Sequence, residues 1–388
     1  MMTSRERLLS VLNGGNPDRT PICMFISDTD ISDGLADNII KTRSNDRVND
    51  LIRFHEVLGL DILLRISTDI YEPLAFNCQS SNWNNIWQPD GKYLIHKIIT
   101  PQGELKEVFN LEGETFPNDA YEKNWMKLRN IRIEALVKTA DDLELIKKYR
   151  PAIPVYNLSH IHLIKKNLGD KGIILPRASS SVFNYAAGLM KLEDLLMAPF
   201  LDLNFYKDLM EFCALDTIAV TCQVLETQPH VVRIIGNIAN AGIVSDKFYF
   251  DFVFPYEKQL IDFISASDGK VLFHNCGKCN SFLKIYSQML AGHALESLSK
   301  PQTGGDIENL KHARNSLGEQ VVMIGNFDQV SLLKDGTPEQ IRQEVKNIFT
   351  QTSGDKKYIF STSDSIIPGT PLGNIIALVN AAKQFKGK

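Results

Sequence analysis

Near the middle of the chain, His274 and Cys276 stand two residues apart in the run VLFHNCGKC, residues 271–279. On an extended segment, residues i and i+2 project to the same side. An imidazole and a thiolate at that spacing can therefore grip one soft or borderline cation, with Zn2+ the default choice. Cys279 follows three residues later and is either a third ligand or an inward-facing residue of the next helix. A closed structural zinc site draws four ligands, often several cysteines close in sequence. Here the remaining ligands have to come from distant segments. Glu296 in HALESLS and Asp364 in FSTSDSIIPGT are the carboxylate candidates, as ligands or as groups beside the metal. Each has a plainer alternative: a salt bridge or helix cap for Glu296, an Asx turn for Asp364. GNIANAG adds Asn237 and Asn240, and GNFDQ adds Asn326, Asp328 and Gln329. Asn237 and Asp328 are candidates for orienting a substrate, against tight-turn chemistry beside glycine.

These residues acquire a common address once the elements are laid out. Short β-branched runs alternate with longer helical patterns, which argues for a parallel sheet covered by helices. The strand candidates are residues 20–26, 61–66, 172–175, 231–235, 270–274, 293–296, 321–324 and 358–360. Eight such strands separated by helices predict an α/β fold of the (β/α)8 TIM-barrel class, with an open sheet as the alternative. In such a barrel the carboxyl ends of the strands line one mouth, where His274, Cys276, Glu296 and Asp364 all fall. Thr3 and Glu6 have capping-box spacing, with Gly14 and Gly15 as a stop. Thr337-Pro338-Glu339-Gln340 opens another helix, and Thr370-Pro371 a last one whose buried face is Ile375, Leu378, Val379 and Ala382.

Between the second and third strands the chain is too long for one crossover. The stretch WQPDGKYLIHKIITPQGELKEVF carries turn signals at Pro89-Asp90-Gly91 and Pro101-Gln102-Gly103 between β-rich runs. It reads as an antiparallel meander within a β-rich insertion at 80–135, either a lid, a docking surface or a structural excursion. With no repeat or flexible linker, residues 1–388 are read as one domain carrying that insertion.

Composition narrows the classes. The 388 residues are 44% hydrophobic and 23% charged, an ordinary globular balance rather than a collagen-like or disordered one. Lys and Arg number 42 against 46 Asp and Glu, a net of -4, so phosphate-tracking nucleic-acid binding is not expected. No apolar run reaches the roughly 18 residues of a membrane span, and a cytoplasmic location is expected. The 6 cysteines are too few and too unevenly placed for a disulfide scaffold; Cys23, Cys78, Cys213 and Cys222 read as buried small hydrophobes.

The opening RERLLSVLNGGNPDRTPI, the strand-end HNCGK, GNFDQV and SIIPGTPLGN, in that order, resemble the uroporphyrinogen decarboxylase superfamily, and within it the cobamide-dependent methyltransferase branch. The resemblance covers nearly the whole chain and is weakest over the meander. It implies a TIM barrel and, for the corrinoid-linked members, a zinc site built from His-x-Cys plus a distant third ligand; His274 and Cys276 match the first two. True decarboxylases carry an Arg-rich stretch after the first strand, where this chain reads CMFISDTDISDG with Asp28, Asp30 and Asp33, which disfavours a polyanionic substrate. In the methylcobamide:coenzyme M methyltransferases a cysteine lies six residues before the Thr of the late Thr-Pro; the same count back from Thr370 gives Asp364. One fewer thiolate leaves zinc more electrophilic, better suited to polarising an oxygen than to presenting a thiolate. The expectation is an enzyme of the O-demethylase type, moving methyl from a small methylated donor, a methyl ether, to the cobalt of a separate corrinoid carrier protein. No corrinoid-binding Asp-x-His-x-x-Gly signature occurs in the chain, so the cofactor is expected on that transient partner. The alternatives are transfer from methylcobamide to a thiol such as coenzyme M, a decarboxylase-like activity, or a non-catalytic binding barrel.

Overall fold

The computed structural model describes residues 2–26, 46–68, 78–112, 114, 128 and 131–385. Asp28, Asp30 and Asp33 lie outside the described residues. In chain order the strands are β1 (Ile62–Ile66), β2 (Asn84–Asp90), β3 (Tyr93–Thr100), β4 (Gly103–Asn110), β5 (Arg132–Glu134) and β6 (Gly172–Ser180). They continue with β7 (Val232–Ile235), β8 (Val271–Asn275), β9 (Ala294–Ser297), β10 (Val322–Phe327) and β11 (Tyr358–Thr362). The chain divides into two compact units. One comprises Met1–Asp69, Asn157–Ala178 and Thr221–Lys388; the other comprises Ile70–Tyr156 and Ser179–Val220.

The first unit is organised by a parallel sheet in the order β1-β6-β7-β8-β9-β10-β11, seven strands with helices between them. Its strands are apolar on both faces, as expected for a parallel sheet with covered sides; β1, β8 and β11 are buried at every position. One cluster draws a residue from each of them: Leu63, Ile173, Leu175, Val231, Leu272, Ala294, Val322, Ile324 and Ile359. Val231, just ahead of β7, stands for that strand. Leu8, Val11 and Leu12 of helix α1 (Ser4–Leu12) join the same cluster. The expected capping box at Thr3 and Glu6 starts this helix. Strand alternation then sets the next layer. Two residues beyond the aliphatic set, the same face carries Arg65, Arg233, His274 and Glu296, so a charged layer rests directly on the apolar one.

The expectation of eight laddered strands is corrected at residues 20–26, which make a single parallel bridge, Ile22 to Phe360. The reason lies in where their amides go. Pro21 has no N–H to give a ladder. The Ile22 amide is taken by the Asp61 carboxylate at 2.9 Å, and that of Phe25 by the Thr362 hydroxyl at 3.1 Å. The segment still contacts both flanking elements: Cys23 N donates to Phe360 O at 2.8 Å, and Asp61 N to Ile22 O at 2.9 Å. A second correction is small. The last helix runs Leu372–Gln384 with Pro371, not Thr370, at its N-cap, because the Thr370 hydroxyl donates to Ile367 O at 2.7 Å. Its expected face, Ile375, Leu378, Val379 and Ala382, is buried.

The second unit contains the meander, an antiparallel sheet in the order β2-β3-β4-β5. Asp90 pairs with Tyr93 and Thr100 with Gly103, so two-residue turns sit at both expected places. Leu94, Phe109 and Leu128 form its core. His96 is held between Glu107 and Asn85, each at 2.8 Å, under the stacked ring of Trp87.

Candidate metal and active site

His274 is the fourth residue of β8, and the parallel register sets it opposite Ile235 of β7 and Glu296 of β9. That register does the positioning. Glu296 Oε2 lies 3.0 Å from His274 Nδ1, and the Ser297 hydroxyl 3.2 Å from the same nitrogen. A histidine whose Nδ1–H is given to a carboxylate offers its Nε2 lone pair to a metal, in an orientation that the carboxylate fixes. Nε2 points toward Asp364 Oδ2, 3.9 Å away, two residues past the end of β11. The other oxygen of Asp364, Oδ1, accepts from Ser365 N at 2.7 Å. Cys276 follows β8. The donor atoms of His274, Cys276 and Asp364 all lie within 4.8 Å of one another, with His274 buried and the other two partly open. Asn237 Nδ2 stands 3.8 Å from Cys276 Sγ. Gly277 is needed here because a Cβ would come within 2.6 Å of the Asn240 side chain.

The donor set fits a borderline cation. Ligands on a tetrahedral zinc with bonds of about 2.0–2.3 Å stand roughly 3.3–3.8 Å apart, so these atoms need to close by about 1 Å. One nitrogen, one sulfur and one oxygen could hold the ion, leaving a position for substrate. Cys279 is not a member of the cluster. Its amide donates to Asp306 at 2.8 Å, and its thiol is buried near Tyr249 and Tyr286, where burial pushes it well up. Nor does Glu296 join the three; it stands behind His274. Asp328 accepts from Val330 N and Ser331 N, both at 2.8 Å, as an N-cap. Asn240 closes its own loop through Gly242 N at 2.8 Å, while the buried Asn326 donates to Ile307 O at 3.2 Å. Gln329 is buried at the start of the turn that Asp328 caps.

Sequence reasoning passed over two arginines. Glu296 is fully buried, and it receives Arg65 through Nε at 3.0 Å and through a terminal nitrogen, with Arg233 Nε at 3.4 Å. Phe25 lies against both guanidiniums, 4.0 Å from Arg65 and 4.9 Å from Arg233, and edge-on to the His274 ring at 5.5 Å. Burial alone would raise the Glu296 carboxyl, but Arg65, His274 and Arg233 outweigh it and hold it well below the usual range. Burial and Arg233 likewise press His274 down; hydrogen bonds to Cys276 and Glu296 and the charge of Asp364 prevail and raise it to about 9. A metal binding at Nε2 therefore has to displace a proton. The signal for the arginines was present in ILLRI and VRII, where a lone cation shares the parity of inward apolar residues.

A parallel α/β sheet carrying a His-x-Cys pair and a distant third donor at its strand ends defines the class, and the comparisons name it. The family model for uroporphyrinogen decarboxylase (URO-D) matches residues 125–385, more than half the chain, and the protein belongs to that family. The methylcobamide:CoM methyltransferase MtbA of Methanosarcina mazei is 26% identical over 266 residues, 66% of this chain and 71% of that protein. A methylated-thiol–coenzyme M methyltransferase from the same organism is 25% identical over 40% of this chain and 38% of its own length. The uroporphyrinogen decarboxylase of Geobacter metallireducens is 29% identical over 38% of this chain and 40% of its own length. A solved methyltransferase from Methanosarcina mazei shares the fold over all of both chains, with a TM-score of 0.63 at 19% identity. These relatives are consistent with the cobamide-dependent methyltransferase branch of the superfamily. Among the described residues, no helix is long and apolar enough to cross a membrane.

Proposed function

We propose that this protein is a zinc-dependent methyltransferase of the O-demethylase type, moving methyl from a small methyl ether to the cobalt of a separate corrinoid protein. The observation that carries the reading is the convergence of His274, Cys276 and Asp364, a donor set with a single thiolate. Zinc held there supplies Lewis acidity toward the donor's oxygen. Glu296 holds the His274 tautomer and orientation, and Arg65 holds Glu296. Asp364 contributes a hard oxygen ligand, which keeps the site more electrophilic than two thiolates would. Asn237 lies within reach of a molecule seated beside Cys276. Asp328, by contrast, acts by fixing the loop after β10. In the transfer, the methyl–oxygen bond breaks as the carbon–cobalt bond forms on the carrier, and the oxygen leaves with its electron pair, to be protonated to the alcohol or phenol. Residues 20–26 take the eighth position of a closed (β/α)8 barrel in this reading, within one catalytic domain of residues 1–388 and its insertion at 80–135. The carrier visits the strand-end mouth transiently, so a small polar interface is expected.

The second reading, methyl transfer from the corrinoid to a thiol, draws its support from the relatives named for coenzyme M. One experiment separates the two. The zinc-loaded protein is mixed with reduced carrier and phenyl methyl ethers, methanol or methylamines, and the cobalt spectrum is followed. Conversion to methylcobalt that depends on the protein and on zinc supports the first reading. No conversion with these donors, and demethylation of the methylated carrier by a thiol, assigns the second.

A further inference from the structure

We propose that Asn275, anchored by Tyr286, is the residue that positions Cys276 for metal binding, holding its sulfur on the side of β8 that His274 faces. The proposal rests on the metal reading of His274, Cys276 and Asp364, and it names what brings the sulfur to the other two. Strand alternation sends Asn275 the opposite way from its two neighbours, away from the face that carries Leu272 and His274. There it is fully buried, and its two polar ends do different work. Nδ2 donates to the Tyr286 hydroxyl at 2.7 Å, and Oδ1 accepts from Gly277 N at 2.9 Å. The second bond is an Asx turn, in which the side chain replaces a backbone acceptor and bends the chain just after Cys276. Tyr286 lies on the helix Leu283–Met289 and is itself fully buried. Its ring centroid stands 5.7 Å from those of Phe273 and Tyr249 and 6.1 Å from that of Phe282. A phenol clamped by three rings gives the Asn275 amide a fixed anchor.

The need for such a device follows from where the other restraints stop. The parallel ladder holds β8 as far as Asn275, which stands opposite Ser297 of β9. Further on, Lys278 O accepts from Ala241 N at 2.7 Å, and Asp306 takes the amides of Cys279 and Asn280 at 2.8 and 2.9 Å. Cys276 and Gly277 lie between these fixed stretches, where the chain leaves the sheet. The Asn275 side chain spans that gap. The three donor atoms lie within 4.8 Å of one another and have to close further onto an ion of zinc's size. A binding constellation has to be held to within about 0.5 Å, so a fixed turn matters more here than in an ordinary loop. The chemistry of the position is also specific. Aspartate would keep an acceptor for Gly277 N and could accept the Tyr286 proton. Alanine keeps neither contact and leaves the buried phenol without its donor.

Two readouts test it, one that needs the metal and one that does not. Zinc affinity is measured by competition with a chromophoric chelator on the wild type, Asn275→Ala, Asn275→Asp and Tyr286→Phe. Asn275→Ala is expected to bind zinc about 10–100-fold more weakly, Asn275→Asp to recover most of that loss, and Tyr286→Phe to fall between. In metal-free protein, alkylation of Cys276 by iodoacetamide is followed by peptide mass spectrometry, with each rate divided by the thiolate fraction from its pH profile. That rate should rise about threefold or more in Asn275→Ala and little in Asn275→Asp. Exposed Cys222 should react as in the wild type, and buried Cys23 and Cys279 should stay protected. If the wild type takes up no zinc but this alkylation pattern appears, Asn275 positions Cys276 and the metal reading falls. Zinc affinity within about twofold of the wild type in Asn275→Ala, or an unchanged Cys276 rate, overturns the proposal. Equal losses in Asn275→Ala and Asn275→Asp, or reaction at Cys23 and Cys279 as well, would mark Asn275 as a residue of the fold alone and overturn it too. Should Asn275→Ala not fold, Tyr286→Phe decides: both readouts at wild-type values would overturn the proposal.

Discussion

Replacing Glu296 by Gln keeps the shape of the side chain and removes the one charge on which Arg65, Arg233 and His274 converge. The carboxylate is fully buried, with Arg65 Nε and His274 Nδ1 each at 3.0 Å and Arg233 Nε at 3.4 Å. A unit charge at 4 Å is worth about 4 kcal/mol at an effective dielectric of about 20, and removing one partner of a buried pair costs about 3–5 kcal/mol. The variant takes from Arg65 and Arg233 the carboxylate they share, so a loss of about 3–5 kcal/mol is expected. The same substitution weakens the acceptor that orients His274, which typically lowers metal affinity by about 10–100-fold. Urea denaturation gives the first quantity, and zinc competition with a chromophoric chelator gives the second. Arg65→Met in the Glu296→Gln background should recover stability, because the excess cation goes with its partner. A loss below about 1 kcal/mol together with unchanged zinc affinity would refute the assignment of Glu296 as the hub of this layer.

Other outcomes rest on the same geometry. Alanine at His274 or Cys276 should strip zinc while leaving the far-ultraviolet circular dichroism largely intact; global unfolding in both would mark the site as structural instead. Asp364→Ala should depress methyl transfer by orders of magnitude, while Asp364→Cys, which adds a thiolate, should shift preference from ether donors toward thiols; unchanged turnover of Asp364→Ala would leave Asp364 as a turn residue only. Buried His55 and His293 and half-buried His230 are each pushed down to about 4, chiefly by burial. Their unfolded-state values lie near about 6.5, so below that pH the unfolded chain takes up protons that the native one refuses. Stability should fall as pH drops from about 6.5 toward 4, by about 1–3 kcal/mol per histidine, read from urea midpoints against pH. Flat midpoints across that window would contradict their burial as neutral rings.

The strand ends were the legible part. β8 and its HNCGK were readable because an apolar run ending in two metal-type residues carries both the element and its chemistry, and Asp364 came from its place just past the last strand, to which the resemblance also pointed. What escaped was whatever depends on the partner facing a residue. Arg65 and Arg233 were passed over: their parity with Leu63 and Val231 was in the sequence, but the carboxylate they share comes from β9. Glu296 could be read as a ligand or an ion-pair partner, and only its pairing with His274 across β8 and β9 shows that it stands behind the histidine. Residues 20–26 have strand-like composition, yet the competing acceptors, Asp61 and Thr362, lie 39 and 337 residues away, beyond any local reading. The capping role of Asp328 was readable in principle, since a carboxylate directly before a helical turn is a standard N-cap.

The central claim is a zinc site with a single sulfur at the mouth of the parallel sheet. X-ray absorption at the zinc edge, on protein loaded to one equivalent, tests it directly. The expected shell holds one sulfur near about 2.3 Å, with the remaining ligands nitrogen or oxygen at about 2.0–2.1 Å. The sulfur should vanish in Cys276→Ala and persist in Cys279→Ala. A shell with two protein sulfurs, or protein that binds no zinc, would contradict the account.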